Sequence, residues 1–342
     1  MNIVVIGGTR FIGAHVVRQL ADQGHAVTAY HRGQHEAELT PSVRHVRRAE
    51  AVMPVQSFPD ELLTPRPEVV IHMTAVGEVD AVAAVGFFRG HASRMVWISS
   101  GDVYLAYGRF TGTEPGPVEA GLLSEGSPLR TVLYPYRDAG KFPDDIANIY
   151  EKILVERIAL SDPELPWTVL RLPKVYGPGD NADLATVYAF RNHPQWRWTH
   201  GYVENVAAAI VLAALHPAAV GRIYNVGEEH TPTTAERLAT LPESSVPIHT
   251  AEKFSFEQDI AYDTTRVRAE LGYKEVVDEV EAMRKTVAGE THPSWAEQFA
   301  EKLFLGAFRH KNRLQVIESS FVETLEITSL VPFSANCEAH EG

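Results

Sequence analysis

The chain has 342 residues, 45% hydrophobic and 22% charged, enough apolar material for one large core or two modest ones. A formal net charge of -13 with no basic run excludes the electrostatic footprint of a nucleic-acid binder. No apolar run approaches the roughly 20 residues needed to cross a bilayer, and the single cysteine, Cys337, excludes an intramolecular disulfide. The expectation is a soluble cytoplasmic protein with no membrane partner.

Short β-rich runs alternate with longer helical ones. Ile3–Ile6 is a continuous apolar run of strand length, and after it Ile12, Val16, Val17 and Leu20 line one helix face that Gly24 can terminate. Ala26–Tyr30 reads as a second strand, Val43–Val46 as a third and Val69–Met73 as a fourth. Helical Val79–Phe88 and a fifth strand, Met95–Ile98, follow. Thr168–Leu172 and Arg222–Val226 read as further strands around a helix at Val203–Leu215, and Asp263 as the N-cap of a short helix stopping at Gly272. Strands apolar on both faces and separated by helices predict a parallel sheet covered on both sides. The fold class is therefore α/β, a doubly wound Rossmann sheet with a smaller C-terminal lobe. Residues 1–170 form the dinucleotide-binding core, 171–290 complete it and build the substrate lobe, and 291–342 are an extension with no assigned role. In that extension Trp295, Phe299, Leu303 and Phe304 have helical spacing.

The first strand runs straight into Gly7-Gly8-Thr9-Arg10-Phe11-Ile12-Gly13, which opens the first helix. A pyrophosphate needs unencumbered backbone N–H donors at a helix N-terminus, and a strand–glycine turn–helix supplies them. Gly7 permits the turn and Gly13 lets helix and strand pack closely. The second strand ends at Tyr30-His31-Arg32-Gly33 with no acidic residue for the ribose hydroxyls. Arg32, with Arg10, suits a ribose 2′-phosphate, or else is a solvated loop residue; the cofactor is NAD or NADP. His15, His25 and His31 share no metal-ligand spacing, so no metal is expected.

Together with that turn, the strings VVIHMTA (Val69–Ala75), MVWISSGDVY (Met95–Tyr104), EKILVER (Glu151–Arg157), VLRLPKVYGPGD (Val169–Asp180), HGYVENVAAAI (His200–Ile210) and GRIYNVGE (Gly221–Glu228) carry a resemblance. In order and spacing they resemble the NAD-dependent epimerase/dehydratase family of extended short-chain dehydrogenases/reductases, from Met1 to about Thr291. The resemblance implies cofactor contacts from Gly7, Thr9, Arg10, Phe11, Ile12, Gly13, Arg32, Ala75, Lys152, Pro173 and Val175. It also implies that Arg171 and Pro173–Pro178 border the nicotinamide, and that the protein is a homodimer through paired helices. Its catalytic serine falls on Ser100 and its lysine on Lys152, which would bind the ribose and lower a tyrosine pKa. Here the chain departs from the pattern. The tyrosine position, four residues before Lys152, is Asn148, while Tyr150 lies only two residues before and points about 200° away on an ideal helix. Tyr150 can serve only if the helix begins late; otherwise Tyr104, Tyr134 or Tyr136 supplies the hydroxyl. Asp102 stands where sugar-nucleotide dehydratases carry a glutamate, and is either a proton-transfer group or the cap of the following turn. Trp196, Arg197, Trp198 and His200 suit a sugar phosphate or form the lid of the small core.

The function implied is an NAD(P)-dependent epimerase/dehydratase-like oxidoreductase acting on a nucleotide sugar or related hydroxyl/carbonyl metabolite, with Ser100, Asp102, Tyr150 and Lys152 catalytic. Two alternatives stay open. The missing tyrosine favours a dinucleotide-binding sensor or scaffold without catalysis. An RNA-binding relative is opposed by the acidic balance.

Overall fold

The computed structural model describes residues 1–289 apart from 34–38, 49–52, 138–144, 179–183, 245–247 and 250–253. The chain divides into two compact units, Met1–Leu305 and Gly306–Gly342, and the second lies wholly outside the described residues, as does the extension expected from residue 291. In chain order the strands are β1 (Asn2–Ile6), β2 (Ala26–His31), β3 (Arg44–Arg47), β4 (Val69–His72), β5 (Arg94–Ser100), β6 (Trp167–Leu172), β7 (Lys174–Tyr176), β8 (His200–Tyr202) and β9 (Arg222–Asn225). The helices are α1 (Phe11–Asp22), α2 (Glu78–Phe88), α3 (Leu105–Thr111), α4 (Lys152–Ser161), α5 (Leu184–Ala189), α6 (Val203–Leu215), α7 (Thr234–Leu238), α8 (Thr265–Leu271) and α9 (Glu279–Gly289).

Seven strands form one parallel sheet in the order β3-β2-β1-β4-β5-β6-β9, and β7 pairs with β8 in a small parallel sheet beside it. The strands form because their apolar residues fill both faces: all four residues of β4 and the first six of β5 are buried. On one face α1 packs against α6, and on the other α2 packs against α4. The order reverses at β1, whose neighbours are β2 and β4, and this opens the crevice at the carboxyl ends where doubly wound sheets bind ligands. An aromatic third core holds the lobe, with Phe110 stacked between Trp196 (4.9 Å) and Phe254 (4.8 Å).

The expected elements hold with small shifts. β3 starts one residue later than expected, and the N-cap of α8 is Thr264 rather than the expected Asp263, whose Oδ1 accepts the Thr265 N–H at 2.9 Å from one residue further out. Among the described residues no helix is long and apolar enough to cross a membrane.

Candidate active site

The β1–α1 turn lies against the end of β4. Gly7 has φ +85°, and a Cβ there would stand 2.4 Å from Thr74 Cγ2; a Cβ on Gly13 would stand 2.3 Å from the Gly7 carbonyl oxygen. Only glycine permits these approaches. The N-cap, Arg10, makes no side-chain capping bond, and the first helical bond is Ala14 N–H to Arg10 O, so the N–H groups of Phe11, Ile12 and Gly13 lie ahead of the helical ladder. Phe11 holds φ +39°, a left-handed strain concentrated in the turn. This donor set and its close-packed glycines fit a pyrophosphate. Arg10 lies near enough to Arg32 for its charge, after burial, to lower the Arg32 pKa, so two guanidinium groups converge beyond β2. Beside them His31 Nδ1 accepts from the Gly33 N–H (3.1 Å), which leaves the proton on Nε2 to donate to His45 Nδ1 at 2.9 Å. If the two arginines read a 2′-phosphate, Arg32→Ala weakens NADP by about 1–3 kcal/mol and NAD much less. Equal losses in calorimetric titrations of both would remove that role.

The catalytic candidates converge at the ends of β4 and β5. The helix carrying Lys152 does begin late. Glu151 is extended, and its carboxylate accepts the Ile153 N–H at 2.9 Å, so α4 starts at Lys152 and Tyr150 precedes it. The 200° argument then no longer applies, because Tyr150 sits off the helix, after a short 3-10 turn at Ile146–Asn148. There it lies close enough to Ser100 and Asp102 for both to act on its hydroxyl.

Glutamate is a poor N-cap by propensity, and tertiary partners hold this one in place. Arg130 and Glu151 form an ion pair at 3.1 Å with both side chains fully buried, and Arg130 also donates to the carbonyls of Val132 and Asp102. Glu151 N–H donates to Val76 O (2.8 Å), stitching the tyrosine segment to the loop after β4. Gly77 makes that stitch feasible, since a Cβ there would stand 2.4 Å from the Ile149 carbonyl. Asp80 secures the same loop by accepting the N–H groups of Val76 (2.9 Å), Gly77 (3.0 Å) and Val55 (2.6 Å). Glu114 accepts the N–H groups of Thr131 and Val132, so the strap from Arg130 to Tyr136 is pinned by carboxylates on two sides.

That strap delivers a second phenol. Tyr136 Oη lies 3.0 Å from Asp102 Oδ2 and 3.1 Å from Tyr107 Oη. Asp102 is 5% exposed, and its Oδ1 is buried without a hydrogen-bond partner. Burial raises the Asp102 pKa against the pull of Arg130, and burial with the Asp102 charge raises Tyr150 and Tyr136 well above the ordinary phenol value.

Several expectations are corrected. Lys152 Nζ donates to the carbonyls of Ile98 (2.9 Å) and Ala75, and stands 5.6 Å from the centre of the Tyr150 ring rather than at its hydroxyl. Burial pulls its pKa to about 8 against Asp102, and the Tyr150 pKa is raised, not lowered. Arg171 pairs with Glu156 (2.7 Å) under the sheet, Glu156 also accepting from Ser99 (2.6 Å), so its guanidinium is structural and does not border the crevice. Tyr104 donates to Asn225 (2.6 Å) and is fully buried, which removes it as a catalytic hydroxyl. Val175 buries its side chain in the main core, leaving its backbone alone for a cofactor contact, while Pro173 packs on Gly201 and Gly227. Trp196 belongs to the aromatic core, its indole donating to Gln258 O (2.8 Å), whereas Trp198 stands beside Tyr107 with Lys174 5.0 Å from its ring centre. Arg130 and the Tyr107 hydroxyl went unread in the sequence, because neither lies in a string that signals a site.

Residues 3–86 match the NAD dependent epimerase/dehydratase family, a stretch that carries the glycine turn and β1 to β4. No curated protein gives a significant match. Among solved structures, UDP-glucose 4-epimerase of Thermotoga maritima with UDP-glucose is 20% identical with TM-score 0.61, over 84% of this chain and 98% of that one. The dTDP-glucose 4,6-dehydratase of Bacillus anthracis in complex with NAD is 17% identical with TM-score 0.60, over 87% and 99%. The UDP-glucuronic acid 4-epimerase of Bacillus cereus with UDP-glucuronic acid and NAD is 15% identical with TM-score 0.58, over 87% and 100%. The resemblance read in the sequence is thus borne out in the N-terminal quarter by the family match and along the described chain by the fold.

Proposed function

We propose that the protein is an NAD(P)-dependent oxidoreductase of the epimerase/dehydratase type, acting on a hydroxyl or carbonyl carbon of a nucleotide sugar or related metabolite. The observation that carries this reading is the meeting of Ser100, Asp102, Tyr150 and Lys152 at the carboxyl ends of β4 and β5, one loop away from the glycine turn. The backbone from Thr9 to Gly13 would hold the pyrophosphate, Arg10 and Arg32 the adenosine end, and the loop at Ala75 the nicotinamide half. When bound, the nicotinamide supplies reversible hydride acceptance. Ser100 and Tyr150 hold the substrate oxygen, and the half-buried rings of Tyr150 and Tyr136, 5.2 Å apart, offer aromatic surface to a sugar ring. The neighbours' sugar-nucleotide ligands and their NAD support this substrate class.

Micromolar binding of NAD or NADP is expected by calorimetry, with Gly13→Trp abolishing it, since even a Cβ there would strike the Gly7 carbonyl. Failure of the intact protein to bind either cofactor sinks the reading. A nucleotide-sugar screen with cofactor absorbance as readout then identifies the substrate; tight cofactor binding without turnover across it would favour the sensor alternative.

A further inference from the structure

A second group of buried polar side chains lies beyond Trp198, outside the cluster of Ser100, Asp102 and Tyr150. His200 on β8 and Arg237 on α7 line one small cavity together with Trp196, Trp198 and Thr234. The cavity has room for a single water-sized group. His200 is 3% exposed and Arg237 2%, and His200 Nε2 and Arg237 Nη1 are both buried without a hydrogen-bond partner. Such atoms are few in a folded protein, and two of them on one cavity point to a ligand group that bonds both.

The hydrogens on the two side chains decide the chemistry of that group. His200 Nδ1 stands 2.7 Å from the Trp198 carbonyl, which can only accept, so Nδ1 carries the hydrogen. Burial, with the Arg237 charge behind it, holds the His200 pKa well below its ordinary value, so the ring is neutral and Nε2 is a bare lone pair. Arg237 Nη1 can only donate, and at 3.6 Å from Glu279 Oε1 it forms an ion pair but no hydrogen bond. Its other arm, Nη2, donates to Glu228 Oε1, which also accepts the His200 N–H at 2.8 Å. An anion has no hydrogen for Nε2, and it meets two carboxylates that already match the guanidinium charge. An ammonium has no lone pair for Nη1, and a carbonyl oxygen has nothing to donate. A hydroxyl satisfies both.

We propose that His200 and Arg237 form a binding subsite for one hydroxyl of a neutral sugar ring, which enters it past Trp198. His200, Arg237, Trp196 and Thr234 are buried, whereas Trp198 is only half-buried and marks the way in. Its indole lies 6.5 Å from the His200 ring and 6.5 Å from the ring of Tyr107, whose hydroxyl accepts from Tyr136 at 3.1 Å. A sugar resting on that indole places a hydroxyl in the cavity while the rest of its molecule extends toward Tyr136 and Asp102. Lys174 Nζ, 5.0 Å from the centre of the same indole, stands beside that path. This inference deepens the oxidoreductase reading and rests on it for the source of the sugar, either the ribose of a nucleotide or a pyranose.

The test uses the intact protein carrying 15N-histidine, titrated by NMR with ribose, with glucose and with sodium phosphate. His200→Asn assigns the His200 signals, since its amide can still donate to the Trp198 carbonyl. Expected is an upfield shift of the Nε2 resonance with a sugar, the mark of an accepted hydrogen bond, and no shift with phosphate. A response to either sugar supports the subsite, and the stronger one names the source. Arg237→Lys keeps a charge beside Glu228 but loses Nη1, and should weaken the apparent sugar affinity by up to about tenfold. A wild-type resonance that moves with neither sugar overturns the subsite, because water alone then bonds the two atoms. A shift with phosphate and none with sugar overturns the hydroxyl assignment, and undiminished affinity in Arg237→Lys overturns the part given to the arginine. All three results leave the oxidoreductase reading standing. Calorimetry addresses that reading separately, which falls if neither NAD nor NADP binds, whatever the His200 resonance does.

Discussion

Arg130→Met lowers the unfolding free energy by about 3–5 kcal/mol, the cost of removing one partner from a fully buried ion pair. Both side chains of the Arg130–Glu151 pair have no exposed surface, so the Glu151 carboxylate left behind would lack water as well as its cation. The carbonyls of Val132 and Asp102 lose donors in the same variant. The double variant Arg130→Met/Glu151→Leu removes the uncompensated charge and recovers part of the loss, although it also removes the cap on Ile153 N–H. Urea unfolding of the wild type, both single variants and the double variant measures the coupling. A loss below about 1 kcal/mol in Arg130→Met would show that the pair is hydrated in solution and does not fix the start of α4.

The second large effect is expected from acid. His72, at the end of β4, is fully buried, neither ring nitrogen has a hydrogen-bond partner, and its ring stacks on Trp97 at 5.6 Å. Burial, with the Lys152 charge behind it, lowers its pKa to about 3 from an ordinary 6.5. The unfolded chain therefore binds a proton below pH 6.5 that the folded chain refuses. The stability contributed by neutral His72 is whole above pH 6.5, falls as the pH drops, and reaches a deficit of about 4–5 kcal/mol near pH 3. His72→Phe keeps an aromatic ring against Trp97 and removes the titration. Its stability should lie within about 1.5 kcal/mol of the wild type at pH 7, while at pH 4.5 it gains about 2–3 kcal/mol relative to the wild type. Parallel stability–pH curves for the two proteins would mean that His72 finds a proton acceptor on folding.

What the sequence disclosed and what it withheld divide along the range of the forces involved. The runs Ile3–Ile6, Val69–Met73 and Met95–Ile98 are apolar on both faces, and a buried parallel strand needs nothing else to declare itself. The glycine turn is equally local, since its clashes arise within a few residues or against the next strand. The site itself is written in longer-range contacts. Whether Tyr150 faces the crevice depends on where α4 starts, and that depends on Glu151 being held by Arg130, which comes 21 residues earlier in a different segment. Helix propensity assigns no capping role to that glutamate. Tyr104 and Tyr136 were equal candidates by composition; one binds Asn225 from the far end of the sheet, and the other reaches Asp102 from a strap without regular structure. Arg171 was expected at the crevice from its neighbours in sequence, but side chains along a strand alternate between faces, and its own lies toward Glu156 on α4.

The sheet order also bears on how the chain is made. β6 finds its outer neighbour only in β9, with Thr168 opposite Arg222 and Arg171 opposite Asn225, and everything between Leu172 and Arg222 must be synthesised first. As the polypeptide leaves the ribosome, β1 to β6 can assemble while the open edge of Thr168-Val169-Leu170-Arg171 still waits for a partner. An unpaired, largely apolar edge invites another nascent chain to take the empty place. Messages interrupted between codons 172 and 222 should therefore yield aggregates or chaperone-bound fragments rather than a smaller soluble protein. Translational slowing would do most harm there, and least after Asn225 has emerged.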